Sequence, residues 1–127
     1  MIKHTGKLIS SILLPIKLTN GNGGRGTAFW KSAKLRKDYE ALLRRLGHVY
    51  EPFLYRVEIR VTRLLGPRER LWDFSSGLRG SWKELEDSIV ACGWLTDDGP
   101  QYVGGITFWQ EKSASGKSET LIEFYES

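Results

Sequence analysis

Apolar and polar positions alternate most regularly between Phe53 and Leu65. Phe53, Tyr55, Val57, Ile59 and Val61 share one parity, while Leu54, Arg56, Glu58, Arg60 and Thr62 share the other. Successive strand side chains point to opposite faces, so this run predicts a strand with one apolar and one largely charged, wet face. Leu8 to Leu18 is apolar and β-branched and predicts an earlier strand. Between Ser32 and Leu46 the period changes: Leu35, Tyr39, Leu42, Leu43 and Leu46 recur at helical spacing. Ser32 is a candidate N-cap there, and Gly47 a natural stop. A second helix is predicted over Ser81–Cys92. Its S-W-K-E start reads as a capping box of Ser81 with Glu84, and Trp82, Leu85, Ile89 and Cys92 form its buried stripe. Gly93 ends it. ITFWQEK and ETLIEFYE predict two final strands, joined as a hairpin by SASGKS. The order β-α-β-α-β-β predicts an α+β fold, with both helices packed on one mixed sheet in a single domain spanning residues 1–127.

Composition narrows the class. The chain has 127 residues, enough for one compact core, and carries 19 Lys and Arg against 15 Asp and Glu, a net charge of +4. That excess suits a nucleic-acid partner and suits an ordinary mixed surface equally. The single cysteine, Cys92, excludes an internal disulfide and a Cys-rich zinc site; it reads as a small buried hydrophobe. No apolar run reaches the ~18 residues of a membrane span. A soluble, cytoplasmic protein without a membrane partner is expected.

Thr19 to Gly26, TNGNGGRG, is a loop with four glycines. It lacks the Gly-Lys-Ser/Thr ending of a phosphate loop. The polar face of the first helix carries Lys34, Arg36, Lys37, Arg44 and Arg45, open to solvation or to phosphate contact. Arg56, Arg60 and Arg63 lie on or beside one strand, where like charges repel unless an anion lies across them. Glu58 relieves part of that repulsion.

The candidate chemistry is acidic. Asp73 precedes the second helix, and Asp97 and Asp98 follow it. A helix of ~12 residues is ~18 Å long, so these carboxylates meet only if FSSGLRGS doubles back along it. Such a cluster suits Mg²⁺, a hard ion that takes oxygen ligands, and Lys83 in the first turn can neutralise a nearby phosphate. The competing reading is structural: Asp-Asp-Gly-Pro is a turn sequence in its own right, and Lys83 and Asp87, four apart, pair on a helix surface.

The order of these features resembles the RusA family of Holliday junction resolvases. Its pattern runs from a strand to a loop with asparagine and basic residues, then a helix and a strand. A D-x-D-N/S motif follows, then a lysine opening a helix, a glycine closing it and an Asp-Asp pair. In this chain LLPIKL leads to Thr19-Asn20 and Arg25, SAKLRKDYEALLRRLG follows, and KELEDSIVACGWLTDDGPQYV is the closest match. The likeness covers about Leu13 to Trp109 and the last two strands.

The resemblance implies a homodimeric, Mg²⁺-dependent endonuclease that cuts branched DNA such as a four-way junction. It places the catalytic acids at Asp73 and Asp98, with Asp97 beside them, and the assisting lysine at Lys83. The second acidic position falls on Ser75, a neutral and poorer ligand, which lowers the expected metal affinity; Glu69 from the preceding loop is a candidate replacement. DNA contacts are expected from Asn20, Arg25, Lys31, Lys34, Arg36, Lys37, Arg56, Arg60, Arg68, Arg70 and Arg79. Two alternatives follow: a branched-DNA-binding relative with weak or no catalysis, and a small protein-interaction domain with incidental acidic turns.

Overall fold

The structure is a computed structural model, and it describes residues 6–19, 29–46, 53, 55–72, 81–97 and 99–127. Its elements are β1 (Leu8–Leu14), α1 (Phe29–Leu46), β2 (Val57–Leu65), α2 (Trp82–Ala91), β3 (Val103–Lys112) and β4 (Glu119–Glu126). The order is β-α-β-α-β-β, and the four strands form one mixed sheet, so the fold is α+β. The chain divides into two compact units, one built of residues 1–17, 53–71 and 99–127, the other of 18–52 and 72–98.

The first unit is the sheet, in the order β1-β4-β2-β3. β4 is antiparallel to both β1 and β2, and β3 is parallel to β2. The last two strands are therefore not a hairpin, because β2 lies between them. Their six-residue connection, 113–118, has to span two strand spacings, about 9.6 Å. It does so across the end of β2, where the Ser113 N–H donates to the Leu65 carbonyl at 2.9 Å. Gly116 takes the left-handed conformation (φ 76°) that such a tight return needs.

One sheet face is the core. Ile12 and Leu14, Ile122 and Phe124, and Val57, Ile59 and Val61 are all buried there. Register places Ile122 opposite both Ile12 and Val61, and Phe124 opposite Ile59. Phe53, just before β2, packs its ring 5.2 Å from that of Phe124. β1 stops at Leu14 rather than Leu18 because Pro15 has no N–H to give the ladder. The other face of β2 is drier than alternation predicted: Thr62 is buried, and Arg60 pairs with Glu123 at 3.0 Å. The Arg60 guanidinium also lies 5.9 Å from the Trp109 ring centre and 5.8 Å from that of Tyr125.

The second unit is the helix pair. α1 buries Tyr39 and Leu43, and α2 buries Trp82, Leu85 and Ile89, as their spacing predicted; Leu46, at the end of the α1 stripe, is exposed. α1 begins at Phe29, so Ser32 lies inside the helix and is not its cap. Its hydroxyl instead donates to Glu84 Oε1 at 3.0 Å. The capping box is absent for a related reason: Ser81 caps nothing with its side chain. Its Oγ accepts from the Thr19 N–H at 2.9 Å, and its own N–H donates to the Thr19 carbonyl at 3.2 Å. Gly47 lies outside the described residues.

Candidate metal site and DNA-contact surfaces

Within the helix unit, the segment from Ser81 to Asp97 is built around α2. Gly93 ends the helix with φ 88°, its N–H donating to Val90 O at 3.0 Å and the Trp94 N–H to Ile89 O at 3.1 Å. This paired return is the Schellman arrangement, which glycine permits at no steric cost. The chain then buries Leu95 and leaves Asp97 exposed. Ten residues of helix separate the Lys83 turn from the Gly93 turn by about 15 Å along the axis.

Lys83 is paired as the plain helix-surface reading predicted. Its ammonium lies 3.1 Å from Asp87 Oδ1 and 3.2 Å from Glu86 Oε1. Glu86 also accepts from Trp82 Nε1 at 3.0 Å, which holds it against the buried side. The α1 basic face is answered in the same way: Lys34 by Asp38 at 3.1 Å, Arg36 by Asp87 at 3.9 Å. Lys37 is exposed, and Lys31 is placed on the first turn of α1 by its backbone alone. Cys92 is half-buried rather than buried, its Sγ donating to the Glu40 carbonyl at 3.7 Å; burial pushes its thiol up. Burial also raises the Tyr39 phenol, a rise that its hydrogen bond with Ser81 offsets in part.

The three strand-side arginines have polar partners within the chain, and for Arg60 and Arg63 these include a carboxylate. Arg56 donates to Ser127 Oγ at 3.1 Å and Arg60 pairs with Glu123. Arg63 is buried on the same parity as Val57, Ile59, Val61 and Leu65. Its guanidinium donates to the Arg70 carbonyl at 2.7 Å, to Gln110 Oε1 at 2.9 Å and to Glu69 Oε2 at 3.1 Å. For Arg60 and Arg63 the repulsion argument for an external anion therefore falls.

Glu69 is likewise committed. Oε1 accepts from the Gly66 N–H at 2.7 Å and from the Ser118 hydroxyl, while Oε2 faces Arg63 and, at 3.6 Å, Lys17. Partial burial pushes this carboxyl up, but Ser118, the Gly66 N–H and Arg63 outweigh it and hold it down at about 2. Glu69 thus ties down the 66–71 loop, with both carboxylate oxygens engaged by groups of the chain. On either side of it Arg68 and Arg70 are exposed.

Of the predicted donor set only Asp97 is described; Asp73, Ser75 and Asp98 lie outside the described residues, as do Asn20, Arg25 and Arg79. Among the described residues no group of three His, Cys, Asp or Glu side chains could hold a metal ion. The donor chemistry nonetheless fits Mg²⁺: three carboxylates and a hydroxyl offer only oxygen, and Asp97 is open to solvent. Also among the described residues, no helix is long and apolar enough to cross a membrane. Neither a protein-family model nor a curated protein matches the chain.

Two features escaped sequence reasoning. The burial of Arg63 was legible, since it shares the parity of the apolar positions of its strand. The partnership of Glu69 with Ser118, 49 residues away, had no local signal.

Proposed function

We propose that this protein is a Mg²⁺-dependent, structure-specific endonuclease of the RusA type, acting as a homodimer on four-way junctions and other branched DNA. The observation that carries the reading is the segment Lys83–Asp97. A lysine opens a regular helix, a left-handed glycine closes it, and an exposed aspartate of an Asp-Asp pair follows four residues later. That arrangement, in a chain of the order β-α-β-α-β-β, is what the resemblance requires of the α2 region.

In this reading Asp73, Asp97 and Asp98 hold Mg²⁺, with the Ser75 hydroxyl as a weaker donor. Bound Mg²⁺ supplies an activated water and charge stabilisation on the leaving oxygen. Lys83 meets the substrate phosphate by exchanging its carboxylate partners for it. The exchange is cheap, because its side chain is 60% exposed and such surface pairs contribute about 0–1 kcal/mol. Arg68, Arg70 and Lys37, exposed on their elements, supply the salt-sensitive attraction to the DNA backbone.

A second reading, a branched-DNA-binding protein with little or no cleavage, is favoured by two particulars. Ser75 stands where a carboxylate would add charge to the site, and Lys83 is shared between Glu86 and Asp87.

One experiment separates them. The purified protein is incubated with a synthetic four-way junction in Mg²⁺ or in EDTA, then run on native and denaturing gels. Paired symmetric nicks that require Mg²⁺ support the nuclease. A shifted band without nicks supports the binder, and no shift at low salt removes both.

A further inference from the structure

β3 is an edge of the sheet: among the described residues no strand lies beyond it. Open edges present unpaired N–H and C=O groups, and proteins blunt them with short strands, proline, charge or bulges. β1, the other edge, has seven residues, a register shift between Leu8 and Ser10, and Pro15 straight after it. β3 has ten residues, no proline and no charge before Glu111. Its register with β2 shifts at Gly104 and then runs unbroken from Gly105 to Lys112.

Burial also falls off at this strand. Ile59 and Val61 on β2 are buried, but Ile106 and Phe108, their register partners on β3, are half-buried, as is Trp109 on the other face. Thr107, among them, is exposed. A long, apolar, uncharged edge of this kind is complementary to one more strand.

We propose that β3 pairs with β3 of a second copy, antiparallel about a two-fold axis at Thr107, joining two four-stranded sheets into one continuous sheet. Opposite residues of an antiparallel pair point to the same face, so such an axis passes through a residue paired with itself. With Thr107 opposite itself, Phe108 of one copy meets Ile106 of the other, and Trp109 covers Gly105, which has no side chain of its own. Glu111 then falls beyond Gly104, at the level of Arg56 of the second copy. The exposed Arg56 side chain reaches over that glycine, its Nε 3.3 Å from where a Cβ would stand. Centring on Phe108 instead sets Glu111 opposite Gly105, where the Glu58 carboxylate already lies 3.5 Å from the Cβ position, and like charges so placed destabilise a pair. Centring on Trp109 sets Phe108 and Ile106 against Gln110 and Lys112. Charge and side-chain matching thus select the Thr107 axis. The pairing is isologous and closes at two copies. The proposal deepens the homodimer of the reading above and rests on it for function; the surface and the register come from the sheet.

The test is sedimentation of the whole chain over a concentration series, with changes made at the axis. Thr107 is exposed, so Thr107→Lys leaves the fold intact, which a thermal melt confirms. It sets two ammonium groups opposite each other. The expected result is a dimeric wild type and a dimer weakened about tenfold or more in Thr107→Lys. Thr107→Cys, in a Cys92→Ser background, forms a disulfide between copies under mild oxidation. Opposite Cα atoms of such a pair lie about 4.5–5.5 Å apart, within the about 4.4–6.8 Å that a disulfide spans. Ser11→Cys, exposed on β1, forms none in the same background. A wild type that stays monomeric at about 0.1 mM, a dimer indifferent to Thr107→Lys, or a cross-link as strong from position 11 as from position 107 would overturn the proposal. Nicking of a four-way junction by the wild type is measured alongside. A dimer weakened by Thr107→Lys, with no nicking by the wild type, removes the nuclease reading and leaves the interface. Paired nicks by a wild type whose dimer is indifferent to Thr107→Lys do the reverse.

Discussion

Replacing Glu69 with Gln tests the lock at the end of β2. The folded carboxyl titrates at about 2 rather than 4.5, and at about 1.4 kcal/mol per pH unit, discounted for solvent screening, this corresponds to about 1–3 kcal/mol. The sign follows from the direction. A depressed acid stabilises the fold above its unfolded pKa, and the contribution disappears as pH falls from about 4.5 through about 2. Glu69→Gln keeps an acceptor for the Gly66 N–H but removes the charge that faces Arg63. Urea unfolding of both proteins from pH 7 downward reads the difference directly. At pH 7 the variant is less stable by about 1–3 kcal/mol. The gap closes as pH approaches 2, because protonated glutamic acid and glutamine are then near equivalents. A gap that stays constant across this range would refute the reasoning, since Glu69 would then titrate alike in the folded and unfolded chains.

Arg63→Met leaves Glu69 partly buried without its main cation and costs about 3–5 kcal/mol, while the double variant with Glu69→Gln costs less than the sum; denaturant melts give the coupling. Gly93→Ala, forced to φ 88°, destabilises by about 1–2 kcal/mol in a thermal melt, and no change there would remove the left-handed turn after α2. Ser75→Asp adds the missing carboxylate and raises both Mg²⁺ affinity, by calorimetry, and junction cleavage; if neither moves, Ser75 is not in the site.

Alternation and helical spacing carried most of the fold. The β2 core face and the buried stripe of α2 were legible because burial imposes period 2 or 3.6 on the sequence. Ends and pairings were less so. Ser32 and Ser81 carry the right chemistry for caps, but Glu84 and Thr19, distant in sequence, claim them instead. The supposed β3–β4 hairpin failed because connection length alone does not say whether a third strand slips between. At the site, Lys83–Asp87 was readable as a four-residue spacing. The commitment of Glu69 to Arg63 and Ser118 depends on two loops meeting, which no local pattern records.

The most direct measurement is the rate of strand nicking on a four-way junction, mapped to the nucleotide, for the wild type and Asp98→Asn in Mg²⁺. The account predicts paired, symmetric nicks by the wild type. For Asp98→Asn it predicts normal junction binding with a loss of nicking beyond the about 10–100-fold that outer-shell changes at metal sites cost. Equal nicking by both proteins, or none by either in Mg²⁺, would contradict it.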